Sequence, residues 1–556
     1  MATTGGVEEN LVWSRRIADE LWSGAVTPLT FSLLAEEMAE HMVRRRLANA
    51  GLARAGDEPV LRLVRGHVYV NASMVAEVMC EVPTLFLSEG LLTLLPEELR
   101  ESVRQRRRSL LAPQTLGTIL RLTRFESAWL PWLRGAAFRD EAVRVARTLS
   151  RYSVPSGASL PELKREMEEV RGRLAQYLEI VSWGMIYAYV FFHLTSHLLA
   201  RWAPEEADAM SDLTAGLEGI QTFEAHDELV ACARLAAEDA GLRQSLLGAD
   251  PGAIALACAR REMGTFGERV LALLVHHGHR LVARDLSCPT WRERPAIVVE
   301  MIQQLLAGDT PFGRESRAER RSARSSRLAT RIGRGVGGSL RQELFARCLA
   351  WCQEYYAVRE NMRYYADVFL AALRALALSA GDRLARSGML EQSDDVFYLT
   401  YEEILRGDEL AGGQGRAAER RLAYAGYRSN PPPEVIHGES VEPAVVLRQL
   451  PRPLQGVGAS PGLASGLARV IRTVDDLHAL RRGEVMVAAA TDPSWTSLVG
   501  LGKALVLEVG GLLSHGAIVA RELGIPAVVD VPAATTLLAT GDRLTVDGGA
   551  GLVAIV

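Results

Sequence analysis

Lysine is nearly missing from this chain: of 63 basic residues only Lys164 and Lys503 are lysine, a usage that fits a GC-rich coding sequence rather than a special chemistry. Cysteine is also scarce, six in 556 residues, and Cys80, Cys232, Cys258, Cys288, Cys348 and Cys352 contain no CxxC pair. Reduced, mostly buried thiols follow. Cys348 and Cys352 stand one helical turn apart without a histidine at ligand spacing, so they are expected in the core, and His193 and His197 lack the intervening carboxylate of an HExxH pattern. No metal centre is expected. The net charge of -4 gives no global reason to expect nucleic acid. The opening MATTGGVEENLVW has no basic region followed by an apolar core, so no secretory signal is expected and a cytoplasmic location is.

A clean membrane-length apolar run is lacking too. Residues 175–200 come nearest, but His193, Ser196 and His197 interrupt them, and Arg171, Arg173 and Arg201 flank both ends without asymmetry. A buried central helix fits better, with Trp183, Tyr187, Tyr189, Phe191 and Phe192 available to line a cavity. The basic run 314–334 has no interleaved aromatics for base stacking and reads as a solvated helix or mobile loop. Gly333-Arg334-Gly335-Val336-Gly337-Gly338 has GxGxxG spacing, yet no strand precedes it and no acidic residue follows at the ribose position, so a loop is expected.

What is present is mostly helical periodicity. With 48% hydrophobic and 23% charged residues, 556 positions suffice for several cores. Residues 1–425 read as mainly α, with helices from Pro28 to about Leu52 after a Thr27 cap, and over 94–110, 114–125, 138–151, 160–201, 204–218, 227–246, 252–283, 293–307, 339–387 and 400–406. His67–Asn71 reads as a short strand. Residues 426–455 are Pro-rich and predict an extended tether, and 456–556 predict a small α/β domain, so the fold class is multidomain, mainly α followed by α/β.

Within that last segment, Ala504–Val509 is an apolar strand, Gly510-Gly511 permit a sharp turn, and Ala517 to Leu523 is helical until Gly524 and Pro526 stop it. His515 therefore stands where free amides and a helix dipole favour an anion. Arg359 and Arg363, at i and i+4, put two permanent cations on one helical face, a spacing suited to clamping a phosphoryl group and equally compatible with a solvated charged face.

The stretch GGLLSHGAIVARELGIPAV closely resembles the phosphohistidine signature of the phosphoenolpyruvate-utilising enzymes. The likeness extends over Gly456-Val457-Gly458-Ala459-Ser460-Pro461-Gly462, Thr491-Asp492-Pro493-Ser494-Trp495 and Val546-Asp547-Gly548. It implies a swivelling domain that carries phosphate on His515, with Gly510, Gly511, Ser514 and Thr491 around the phosphate. The helical region resembles the substrate domain of the same family through Trp13, Thr27-Pro28-Leu29-Thr30, Tyr69 and Asn71, Gly278-His279-Arg280, Trp291-Arg292-Glu293, Arg359-Glu360-Asn361-Met362-Arg363 and Asp394–Thr400. This implies catalytic roles for His515, Arg359, Arg363 and His279, and a substrate pocket drawn from Thr27, Arg280, Trp183, Tyr187 and Phe191.

In that family an ATP-grasp domain normally precedes the substrate domain, and this chain opens on the substrate-domain signature. The resemblance thus implies a split phosphotransferase: a separate ATP-grasp protein, using ATP and Mg2+, phosphorylates His515, which then phosphorylates a hydroxyl of a small, largely apolar molecule. Two alternatives stand beside it, a dehydratase that phosphorylates a hydroxyl transiently with His279 as base, and a non-enzymatic metabolite-binding or phosphocarrier protein.

Overall fold

The computed structural model describes the chain apart from residues 1–10, 23, 53–57, 83–88, 107–111, 126–139, 150–151, 308–313, 335–336, 408–411, 439–452, 474–475, 477–478 and 493–494. The centre of the GxGxxG segment, residues 439–452 of the expected tether, and Pro493-Ser494 thus lie outside the described residues. Two compact units are present. The first comprises Met1–His197, Arg284–Ser287 and Val368–Leu447; the second comprises Leu198–Ala283, Cys288–Asp367 and Arg448–Val556. The region expected as one helical body to 425 is therefore divided, and part of it shares a unit with the C-terminal α/β segment.

The first unit has an antiparallel sheet of β1 (Val12–Ser14), β2 (Leu61–Val64), β3 (His67–Asn71) and β4 (Val435–His437), in the order β2-β3-β1-β4. Leu11, Trp13, Val64, Tyr69 and Ile436 pack as its core. β4 corrects the tether expected from 426: the Gly413–Ser429 helix runs past that point, and Val435–His437 then pairs with β1. The Pro431–Pro433 run ends the helix and leads into an edge strand, a position proline tolerates. Helix Pro28–Met38 starts after Thr27 and continues through a π-helical segment, Ala39–Arg44, to Gly51, whose φ of 80° closes it.

Thr27 does not cap that helix with its side chain. Its N–H and hydroxyl donate to Asp285 Oδ2 at 2.5 and 3.0 Å, and Asp285 Oδ1 accepts the N–H of Ser287 at 2.8 Å. The long Leu160–Trp202 helix is long and apolar enough to cross a membrane by length and composition, and 56% of its most apolar window is buried within the protein.

In the second unit the expected long helices are broken by caps. Asp239 Oδ1 accepts from the Gly241 and Leu242 amides and begins Ala240–Gly248, and Asp250 Oδ2 accepts from Ala253 and begins Pro251–Ala259. Gly264, at φ +52°, opens Gly264–His277. The expected 204–218 helix is only a 3-10 turn, Pro204–Ala209, and the single turn Met210–Leu213. The basic run forms the Arg314–Ile332 helix, in which Arg324 pairs with Glu206, Asp208 and Asp212.

The C-terminal segment of this unit forms an eight-stranded mixed sheet from β5 (Leu454–Gln455), β6 (Val457–Ser460), β7 (Leu463–Ile471), β8 (Val485–Ala488), β9 (Ala504–Leu507), β10 (Ala527–Val529), β11 (Arg543–Asp547) and β12 (Leu552–Ile555), ordered β5-β12-β11-β7-β8-β9-β10-β6. Within its parallel centre, β7 to β10, the strands β8, β9 and β10 read as continuous apolar runs because both faces are covered. Val470, Val485, Val487, Val506, Val528, Val546 and Val553 form the core. The separated glycine motifs meet here: a Cβ on Gly548 would stand 1.9 Å from the Ser460 carbonyl, and the Gly548 N–H donates to Gly462 O at 2.8 Å.

Asp285 is the anchor of the Thr27 segment, and removing it strands buried donors. Asp285→Ala is expected to cost at least about 2 kcal/mol of stability, read as a lowered thermal midpoint; an unchanged midpoint refutes the anchor.

Candidate functional site

The site grows from the turn after β9. Gly510 has φ +130°, and a Cβ there would lie 2.8 Å from Ser514 Oγ. Ser514 caps the His515–Leu523 helix by accepting the Ala517 N–H, and Gly524 ends it at φ 67°. Gly516 lets the first turn press onto the sheet, since a Cβ would stand 2.3 Å from Leu507 Cδ1 and 2.9 Å from Thr491 Oγ1. The Thr491 hydroxyl is buried and has no hydrogen-bond partner among the described residues. His515 is thus the first residue of the helix, where unpaired amides and the dipole suit an anion.

The imidazole is 2% exposed and held at both nitrogens. Nδ1 lies 2.9 Å from Glu360 Oε2, and Nε2 lies 3.3 Å from Thr496 Oγ1. Glu360 Oε1 also accepts from Arg359 Nη1 at 2.8 Å. Burial pushes the Glu360 carboxyl up, but the pull of His515, including its hydrogen bond, and the Arg359 and Arg363 guanidinia outweigh burial and hold it below the usual carboxylate range. Burial pulls His515 below its ordinary value, and Arg363 adds to this against the opposing pull of Glu360. At neutral pH the pair is therefore a carboxylate and a neutral imidazole. Nδ1–H donates to Glu360, which leaves the Nε2 lone pair facing the Thr496 hydroxyl.

A second contact ties the two helices. Arg521 donates to Tyr356 Oη at 3.2 Å, and also to the carbonyls of Ala459 at 2.9 Å and Leu512 at 2.6 Å. Tyr356, Glu360 and Tyr364 recur every fourth residue along Gly338–Arg386, so they share one face with about 6 Å of rise between neighbours.

Around Tyr364 stand the residues of the GHR segment. His277 Nδ1 lies 2.6 Å from Tyr364 Oη, and the His279 ring meets Tyr364 edge-on at 4.9 Å. The Arg280 guanidinium lies over Trp291 at 4.8 Å and near Tyr364 at 5.9 Å. Burial, aided by Arg280, lowers His277 to about 4 and His279 to about 3. Both rings are then neutral at neutral pH.

The second unit thus gathers His515, Arg359, Arg363, Gly510, Gly511, Ser514 and Thr491 at one end of the helix face, with His279 and Arg280 one turn further along. The other expected substrate contacts belong to the first unit. Thr27 is occupied by Asp285, and Trp183, Tyr187 and Phe191 stack along one helix face with centroids 5.6 and 6.2 Å apart. Glu360, Thr496, Tyr356 and Arg521 were not singled out from sequence. Glu360 stood between the two chosen arginines, but only the fold brings it to His515, 155 positions away.

Residues 480–551 match the mobile domain of PEP-utilising enzymes, and residues 176–360 match the fourth domain of rifampicin phosphotransferase. The first match contains His515 and the second ends at Glu360. A Streptomyces rifampicin phosphotransferase is 32% identical over 295 residues, covering 51% of this chain and 34% of that protein. An uncharacterised phosphotransferase of Bacillus subtilis is 30% identical over 305 residues, covering 52% and 36%. An uncharacterised protein of Mycobacterium bovis is 40% identical over 190 residues, covering 33% and 21%. The chain spans about a third of the length of the phosphotransferases it matches.

The depressed histidines carry a pH signature. Between the ordinary imidazole value of 6.5 and about 4, the unfolded chain takes up protons that folded His277 and His279 refuse, so stability falls as pH drops through that window. Denaturant midpoints measured from pH 7 to 4 should decline, and less steeply in His279→Asn. Identical slopes in the two proteins contradict the burial of a neutral His279.

Proposed function

From a chain that carries a PEP-utilising mobile domain and a rifampicin phosphotransferase fourth domain, we propose a component of an ATP-dependent phosphotransferase that carries phosphate on His515 Nε2 and delivers it to a hydroxyl of a small, largely apolar molecule. The observation that carries this reading is the Nδ1–Glu360 bond. It presents a neutral ring with its one basic nitrogen outward from the carboxylate, as a nucleophile toward phosphorus requires.

Charging forms the P–N bond at Nε2 as a P–O bond of the donor breaks. When the charged domain returns to Glu360, Nδ1–H again donates to the carboxylate, which stabilises the positive charge of the phosphorylated ring. In delivery the substrate oxygen replaces Nε2 on phosphorus, the ring leaves neutral with its proton still on Nδ1, and the hydroxyl proton passes to solvent water. Arg359 and Arg363 spread the charge of the phosphoryl group in transit. The donor is ATP with Mg2+ on a separate ATP-grasp protein. The 2% exposure of His515 implies that charging requires the mobile domain to turn away from Glu360. Location in the cytoplasm accords with an ATP donor. The elimination reading is weaker, because the base it assigned, His279, is held at about 3.

With labelled ATP and an ATP-grasp protein, the wild-type chain should gain acid-labile phosphate that His515→Ala cannot accept. Robust labelling without the ATP-grasp protein would refute the divided arrangement. Arg359→Ala and Arg363→Ala should charge normally and transfer about 10- to 100-fold more slowly, the loss expected for one buried charge-assisted contact. Slow charging with normal transfer would instead assign the arginines to docking of the donor protein.

A further inference from the structure

The helix bearing His515 has a second buried acid that the reaction does not use. Glu522 Oε1 accepts the N–H of Gly216 at 2.9 Å, 306 positions away in sequence. Gly216 belongs to the turn between Met210–Leu213 and Gln221–Ala237, and the turn's backbone is held from several sides. Arg321 donates to the carbonyls of Ala215 and Gly216. Asn361 Nδ2 donates to Gly219 O at 2.7 Å, and Asn361 Oδ1 accepts the Gln221 N–H at 2.8 Å. Gly216 itself adopts φ +64°, and a Cβ there would stand 2.9 Å from Ala318 N. The turn is therefore fixed in a conformation that only glycine fits, with its amide aimed at Glu522.

Asn361 is the neighbour of Glu360, so the residue that holds the turn and the residue that holds His515 are adjacent on one helix. His515 and Glu522 lie at opposite ends of their own helix, about 10 Å apart along its axis. The Glu360 contact alone would leave the helix free to pivot about the imidazole; the Arg521–Tyr356 bond holds its far end to the facing helix, and the Glu522 contact adds a tie to a different element, the turn, which fixes its rotation. We infer that the 214–220 turn is the seat on which the phosphohistidine helix docks for delivery, and that Glu522 is the positioning residue that sets its register. This rests on the phosphotransfer reading above. Glu522 has no part in charging, which takes place away from this seat.

The bond needs one acceptor oxygen, which glutamine retains and leucine lacks. Protein charged on His515 and mixed with acceptor should transfer at least 10-fold more slowly in Glu522→Leu and within about twofold of wild type in Glu522→Gln. Charging rate and acceptor affinity should match wild type in both. Wild-type transfer by Glu522→Leu, equal losses in both variants, or a parallel loss of charging overturns the assignment. Amide exchange of uncharged protein supplies an arm independent of activity: residues 214–221 should exchange faster in Glu522→Leu and at the wild-type rate in Glu522→Gln. Unchanged exchange in Glu522→Leu overturns the seat. If wild-type protein fails to charge, the phosphotransfer reading falls, and the exchange result still decides whether Glu522 holds this turn.

Discussion

One hydrogen bond organises the candidate site: His515 Nδ1 to Glu360 Oε2 at 2.9 Å, both side chains buried. An isolated carboxylate in this position would be costly, and an isolated imidazole would have no fixed tautomer. Together, with Arg359 on the other carboxylate oxygen, they form a chain of charge-assisted contacts in which each group answers for the next. The neighbouring guanidinium keeps Glu360 ionised, the ionised carboxylate keeps the proton on Nδ1, and the chemistry is left to Nε2.

Close packing makes that bond possible. Gly516 brings the start of the helix onto Leu507 and Thr491, and Gly510 makes the turn that delivers Ser514 as cap. Larger residues at either position would displace the imidazole by more than a hydrogen bond tolerates. On the facing helix, the four-residue repeat of Tyr356, Glu360 and Tyr364 aligns Arg521, His515 and the His277–His279 cluster without any special backbone.

Much of this was legible locally. The strand at Ala504–Leu507, the turn, and the helix stopped by Gly524 follow from apolar runs and glycine, and the Leu160–Trp202 and Gly338–Arg386 helices follow from periodicity. The helix breaks at Asp239 and Asp250 are masked in the sequence by an apolar repeat that continues across them, although each aspartate is a good cap. Glu360 could not be found from spacing, since a buried ion pair across 155 positions leaves no periodic trace. The role expected of Thr27 changed because its partner, Asp285, is equally remote in sequence.

The account stands on the protonation of one ring, and 15N NMR of histidine-labelled protein at neutral pH measures it. The His515 signals should show a proton-bearing Nδ1 and an unprotonated Nε2, and remain so as pH falls below 6.5, with the preference weakened in Glu360→Gln. An Nε2–H tautomer, or an imidazolium at neutral pH, would contradict the assignment of Nε2 as the phosphoryl carrier.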